Sequence, residues 1–107
     1  MNQEQIYTLI KQGDFEQALA ALFENIEANP NEVENYINAG ILIAEAGEID
    51  KAEKFFQKAL TIDPENGAVY YNLANVYYNE GRYKEAVKLY QQALQYKVDE
   101  LHDWYVF

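Results

Sequence analysis

The sequence predicts an all-α chain of stacked antiparallel helix pairs. Three observations carry that expectation. The chain repeats at a spacing of 34 residues, so that Tyr36, Asn38, Gly47 and Ala52 are answered by Tyr70, Asn72, Gly81 and Ala86. A fixed period of this size is the mark of a repeat architecture. Within a unit the apolar residues fall at i, i+3, i+4, i+7, as Tyr70, Leu73, Ala74 and Tyr77 do, which places them on one helical face. Each unit is also punctuated by a glycine near its middle, and the first two by a proline near their ends. No strand-like alternation competes.

The first unit, residues 1–32, lacks two positions at its start. Its Gly13, Phe15, Ala18 and Pro30 stand one period before Gly47, Ile49, Ala52 and Pro64 of the second unit, residues 33–66. In the third unit, residues 67–100, Gly81 follows Asn79-Glu80 where the first helix should end and the chain reverse. A second helix then sets Tyr83, Ala86, Val87, Tyr90, Ala93 and Leu94 at helical spacing. Asn29-Pro30 and Asp63-Pro64 close the first two units. Proline disfavours a helical residue before it, and the Asn or Asp is expected to cap the helix that follows. Helices of ~13 residues are too short to stand alone in water, so packing between them must supply the stability. Residues 101–107 begin a fourth unit, with Trp104 opposite Tyr70 and Phe107 opposite Leu73, and read as its truncation. Residues 1–107 are accordingly read as a single domain.

Composition narrows the function. Half of the residues are apolar, so the chain can bury a core. It has no cysteine, which excludes disulfides and thiolate metal sites. Eighteen acidic residues face eight basic ones, and no Lys or Arg occurs between Lys11 and Lys51. Nucleic acid and anionic membrane are therefore rejected as partners, since binding them rests on basic contacts to phosphate. No apolar run approaches the ~20 residues that span a bilayer. The opening residues lack the pattern of a secretory signal, which leaves the cytoplasm as the expected location.

At this point a resemblance enters. Unit two reads Tyr36, Ala39, Gly40, Ile43, then Ala52, Phe56 and Pro64; unit three reads Tyr70, Leu73, Ala74, Tyr77, then Ala86 and Tyr90, with Val98 at the proline position. Unit one keeps Leu9, Gly13, Phe15, Ala18, Leu22 and Pro30, and departs at Ile6 and Asn25. This resembles the tetratricopeptide repeat (TPR), with its pattern W-x2-L-G-x2-Y … A-x3-F … P. The resemblance implies a right-handed superhelix of antiparallel helix pairs. It makes Tyr36, Tyr70, Tyr77, Tyr83 and Tyr90 packing residues, with buried rings and hydroxyls at the edge.

The same resemblance implies that first helices line a concave face that binds extended or helical peptides. The stripe opposite the packing face carries Tyr7 in unit one, Ile37 and Ile41 in unit two, and Tyr71, Asn75 and Tyr78 in unit three, flanked by Asn38 and Asn72. The rings and aliphatic side chains would take apolar groups, and the carboxamides would clamp a peptide backbone. Ile37 and Ile41 have a second reading, as plain packing against neighbouring first helices. The carboxylate clamp of chaperone-tail binders needs basic residues at positions that here hold Gln3, Ala68 and Asn72, or Ile37, His102 and Val106. Apart from His102 no basic residue is present, so an acidic-tail ligand is not expected.

No phosphate-cradling glycine loop, G-x-S-x-G or HExxH occurs, and His102 is the single histidine. The expectation is a non-enzymatic scaffold that binds a protein or peptide, without cofactor or metal. The rival expectation is structural: self-association through an uncapped C-terminal end, with Leu101, Trp104 and Phe107 folding back over the last helix or entering a second copy.

Overall fold

Six helices follow one another with no strand among the described residues: α1 (Gln3–Lys11), α2 (Phe15–Ala28), α3 (Val33–Glu45), α4 (Ile49–Ile62), α5 (Gly67–Asn79) and α6 (Tyr83–Gln95). The structure is a computed structural model that describes residues 1–96. Helix α5 begins and ends 34 residues after α3, so the periodicity in sequence is a periodicity in space. Each odd helix packs against the even helix that follows it, and α2 on α3, α4 on α5 and α3 on α5 join the pairs.

The bends come from glycine. Gly13, Gly47 and Gly81 adopt φ of 82°, 89° and 79°, a left-handed conformation that costs other residues steric strain. At each, the glycine N–H and the next N–H reach back to carbonyls of the last turn: Gly47 to Ala44 at 2.9 Å and Glu48 to Ile43 at 3.2 Å in the middle bend. This double closure satisfies carbonyls that the helix end would otherwise leave open.

Helix starts are less uniform. Asn2 accepts from the Gln5 N–H while its own N–H donates to Gln5 Oε1, a reciprocal cap on α1. Asn66 caps α5 by accepting from the Ala68 N–H. The expectation that Asn29 and Asp63 cap the following helices is corrected: they end α2 and α4 instead. The next helix starts three residues beyond each proline, out of reach of those side chains, and Asp63 instead accepts from the Asn66 amide at 3.2 Å.

The core obeys the small-and-large pattern. Ala18, Ala52, Ala59, Ala86 and Ala93 are buried, and so is Phe56, whose ring lies against the backbone of Gly40. The Tyr36 hydroxyl donates to the Pro30 carbonyl at 2.7 Å, and one period on the Tyr70 hydroxyl donates to the Pro64 carbonyl at 2.9 Å. Tyr77 donates to Glu53, with the Arg82 guanidinium 4.1 Å above its ring. Tyr83 departs from the packing role expected of it. It is exposed and meets the Tyr78 ring edge-on at 5.1 Å. Ile49, one period earlier, lies beside α5 of the next pair, whereas no further pair follows α6 among the described residues.

Candidate functional site

The stripe expected to face a ligand divides into three fates. Tyr7 is half-buried beside the cluster of Ile6, Ile10 and Leu42. Ile37 and Ile41 are buried in the core that also holds Phe56 and Leu73. Asn38 and Asn72 are buried as well, while Tyr71 and Asn75 are half-buried and Tyr78 is exposed. Leu101, Trp104 and Phe107 lie outside the described residues.

Asn38 and Asn72 occupy the same unit position yet make different bonds. The Asn38 amide donates to Gln3 Oε1 at 2.9 Å, and Gln3 in turn donates to the buried Asn35 Oδ1 at 2.6 Å, a carboxamide chain that ties α3 to α1. One period on from Gln3 stands Ile37, which offers no acceptor. The Asn72 amide therefore turns onto its own helix and donates to the Ala68 carbonyl at 2.8 Å. Its Oδ1 keeps its accepting capacity.

A cleft of about 380 Å³ opens where Asn72 sits. Ile41, Ala44 and Glu45 of α3 form one wall, and Tyr71, Asn72, Asn75 and Val76 of α5 form the other. Gly47 of the bend after α3 and Ile49 at the start of α4, with Asn79 and Glu80, close one end. The Tyr71 ring stands edge-on to Tyr90 at 5.9 Å. The Tyr90 hydroxyl donates to Asn75 Oδ1, which fixes that carboxamide and leaves its amide to donate elsewhere. Burial, and then the neighbouring Tyr71 and Tyr78 hydroxyls, hold the Tyr90 hydroxyl above its ordinary pKa, so it remains a donor. Asn72 and Asn75, one turn apart on α5, thus present an acceptor and a donor beside apolar side chains.

Of the stripe read from the sequence, the structure brings Ile41, Tyr71, Asn72 and Asn75 together in this cleft and leaves Tyr7, Ile37, Asn38 and Tyr78 outside its lining. Glu45, which flanks the unit-two stripe in the sequence, also lines the cleft, and the sequence reading missed Ile49, Val76 and Glu80. Ile49 opens α4 and Glu80 follows α5, outside the first-helix stripe, while Val76 lies one turn after Asn72 within α5, and the register of α3 against α5 places them around one opening.

Short antiparallel helix pairs, bent at equivalent glycines and stacked at a fixed register, define a helical-repeat protein of the solenoid class. Two family models, each described as tetratricopeptide repeat, match residues 4–67 and 44–105. The chain belongs to the tetratricopeptide repeat family, whose members generally mediate protein–protein interaction. Among relatives, small glutamine-rich tetratricopeptide repeat-containing protein 2 of Mycosarcoma maydis is 33% identical over 82 residues, covering 77% of this chain and 23% of that protein. TPR repeat-containing protein YpiA of Bacillus subtilis is 27% identical over 96 residues, covering 89% of this chain and 23% of that protein. The chain thus spans about a quarter of the length of these relatives. Among solved structures, MamA superposes with a TM-score of 0.75 at 25% identity, covering 91% of this chain and 57% of MamA. YrrB, described as a TPR protein with an unusual peptide-binding site, gives 0.77 at 24% identity, covering 90% of this chain and 50% of YrrB, and shares the fold. No helix among the described residues is long and apolar enough to cross a membrane.

Proposed function

We propose that the chain is a non-enzymatic interaction module that holds a protein or peptide segment in the cleft between α3 and α5. One observation carries this reading. Between the apolar side chains of Ile41 and Val76, the Tyr71 ring stands beside two carboxamides with opposite unused capacities, an acceptor on Asn72 and a donor on Asn75. An extended backbone offers matching N–H and C=O groups, and an apolar side chain would displace water from the cleft. Tyr71→Ala, Asn72→Ala and Asn75→Ala, tested in partner pull-down from the full-length protein, should each weaken capture while the helical spectrum is kept. Undiminished capture by folded variants would remove the cleft from consideration.

A second reading rests on α6. Tyr83, Val87 and Leu94 lie along one side of it and are 58%, 53% and 72% exposed. Leu60, one period before Leu94, packs against the core. A second copy could cover the exposed side. Sedimentation of the wild type and of a Val87→Lys/Leu94→Lys variant tests this: a wild type that stays monomeric at high concentration disposes of it.

A further inference from the structure

We infer that the segment held in the cleft carries a Lys or Arg within two residues of the apolar side chain that fills it. This deepens the cleft reading and rests on it. The volume of about 380 Å³ is at the small end for ligand sites, so it suits one or two side chains rather than the face of a helix. Ile41, Ile49, Val76 and the Tyr71 ring make that space apolar.

The rim is electrically one-sided. Glu45 and Glu80 line it, and among the described residues no Lys or Arg does. Neither glutamate is in an ion pair among the described residues, whereas Arg82 is engaged by Glu85 and Glu53, and Lys51 by Glu48.

Helix polarity adds to this field from an independent source. Both α3 and α5 end at the same rim, and a helix C-terminus carries partial negative charge that favours a cation. In α1 that need is met internally, by Lys11 in the last turn. The positions one and two periods later hold Glu45 and Asn79, and neither α3 nor α5 has a basic residue in its last turn. A cation on the guest supplies to two helix ends what Lys11 supplies to the first. The net charge of −10 steers such a segment inward and repels an acidic one.

The test uses the intact chain and a library of displayed random dodecapeptides. Enriched peptides are made with a fluorescent label and titrated by anisotropy against wild type, Tyr71→Ala, Asn75→Ala and Glu45→Gln/Glu80→Gln. Enrichment of Lys or Arg within two positions of Leu, Ile, Phe or Met is expected. The double glutamine variant should bind those peptides roughly tenfold more weakly and with a flatter salt dependence. Peptides that lose binding on Tyr71→Ala or Asn75→Ala, yet show no basic enrichment or bind the double variant unchanged, overturn this inference and leave the cleft reading standing. If no peptide enriches, or if both α5 variants fold and bind normally, the cleft reading fails and takes the inference with it.

Discussion

Gly40 sits in the middle of α3 with the far edge of the Phe56 ring close by, and a methyl group there would lie 2.9 Å from ring atoms Cε1 and Cζ. Carbon–carbon contacts are attractive near roughly 3.5–4.0 Å, so the methyl would intrude by about 0.6 Å or more. Phe56 is fully buried among Ala52, Ala59, Val69 and Leu73 and has nowhere to retreat. Gly→Ala in a helix interior would by itself stabilise by about 0.5–1 kcal/mol. Overpacking a filled core costs about 1–3 kcal/mol. The clash wins, and Gly40→Ala should destabilise by about 1 kcal/mol, which lowers the melting temperature by roughly 4–8 °C in a domain of this size. Urea denaturation of Gly40→Ala, Phe56→Leu and the double variant measures the coupling. With the ring removed the sign should reverse, so that Gly40→Ala stabilises in the Phe56→Leu background. A Gly40→Ala protein as stable as wild type, or an equal cost in both backgrounds, would refute the reasoning.

Three further outcomes follow from the geometry. Gln3→Ala removes both bonds that join α1 to Asn35 and Asn38 and should cost about 1–3 kcal/mol, since it strips a buried carboxamide of its partner; hydrogen exchange should then show α1 opening while α5 and α6 stay protected. Gly81→Ala places a Cβ at φ 79° in open space, so no clash arises and the cost of about 1–2 kcal/mol comes from backbone strain alone; unlike Gly40→Ala, no second-site change in the core should relieve it when melting temperatures are compared. Burial, and then the bond to Glu53, push the Tyr77 hydroxyl up to about 12 from an ordinary 10. A value raised by folding contributes stability that is complete below pH 10 and fades as pH climbs through 12. The melting-temperature gap between wild type and Tyr77→Phe should therefore shrink between pH 9 and pH 11.5, and a constant gap counts against a hydroxyl raised by burial and the bond together.

The bends were legible in the sequence because glycine adopts without strain the left-handed φ seen at Gly13, Gly47 and Gly81, and the helices because their apolar residues recur at helical spacing. Other features depend on what stands opposite, which a single helix does not encode. Asn38 and Asn72 occupy equivalent positions, but Gln3 faces one and Ile37 takes its place for the other, so one carboxamide bridges helices while the other folds onto its own. Tyr83 matches the packing pattern and is exposed, because a packing residue needs a neighbour to pack on. The pairing of the rim glutamates escaped notice for a related reason: Glu45, beside the stripe on α3, and Glu80, just past α5, are 35 residues apart, and only the stacking of α3 on α5 brings them to one opening.

Tyr36 and Tyr70 each reach back six residues to a proline carbonyl in the linker just traversed. Each such strut braces the joint between adjacent pairs at a point where the proline ring already stiffens the chain. The second strut, Tyr70 to Pro64, ties α5 to the linker that follows α4, beside one wall of the cleft. A segment held in the cleft as proposed would then enter between helices already braced at their joint and have chiefly itself to order.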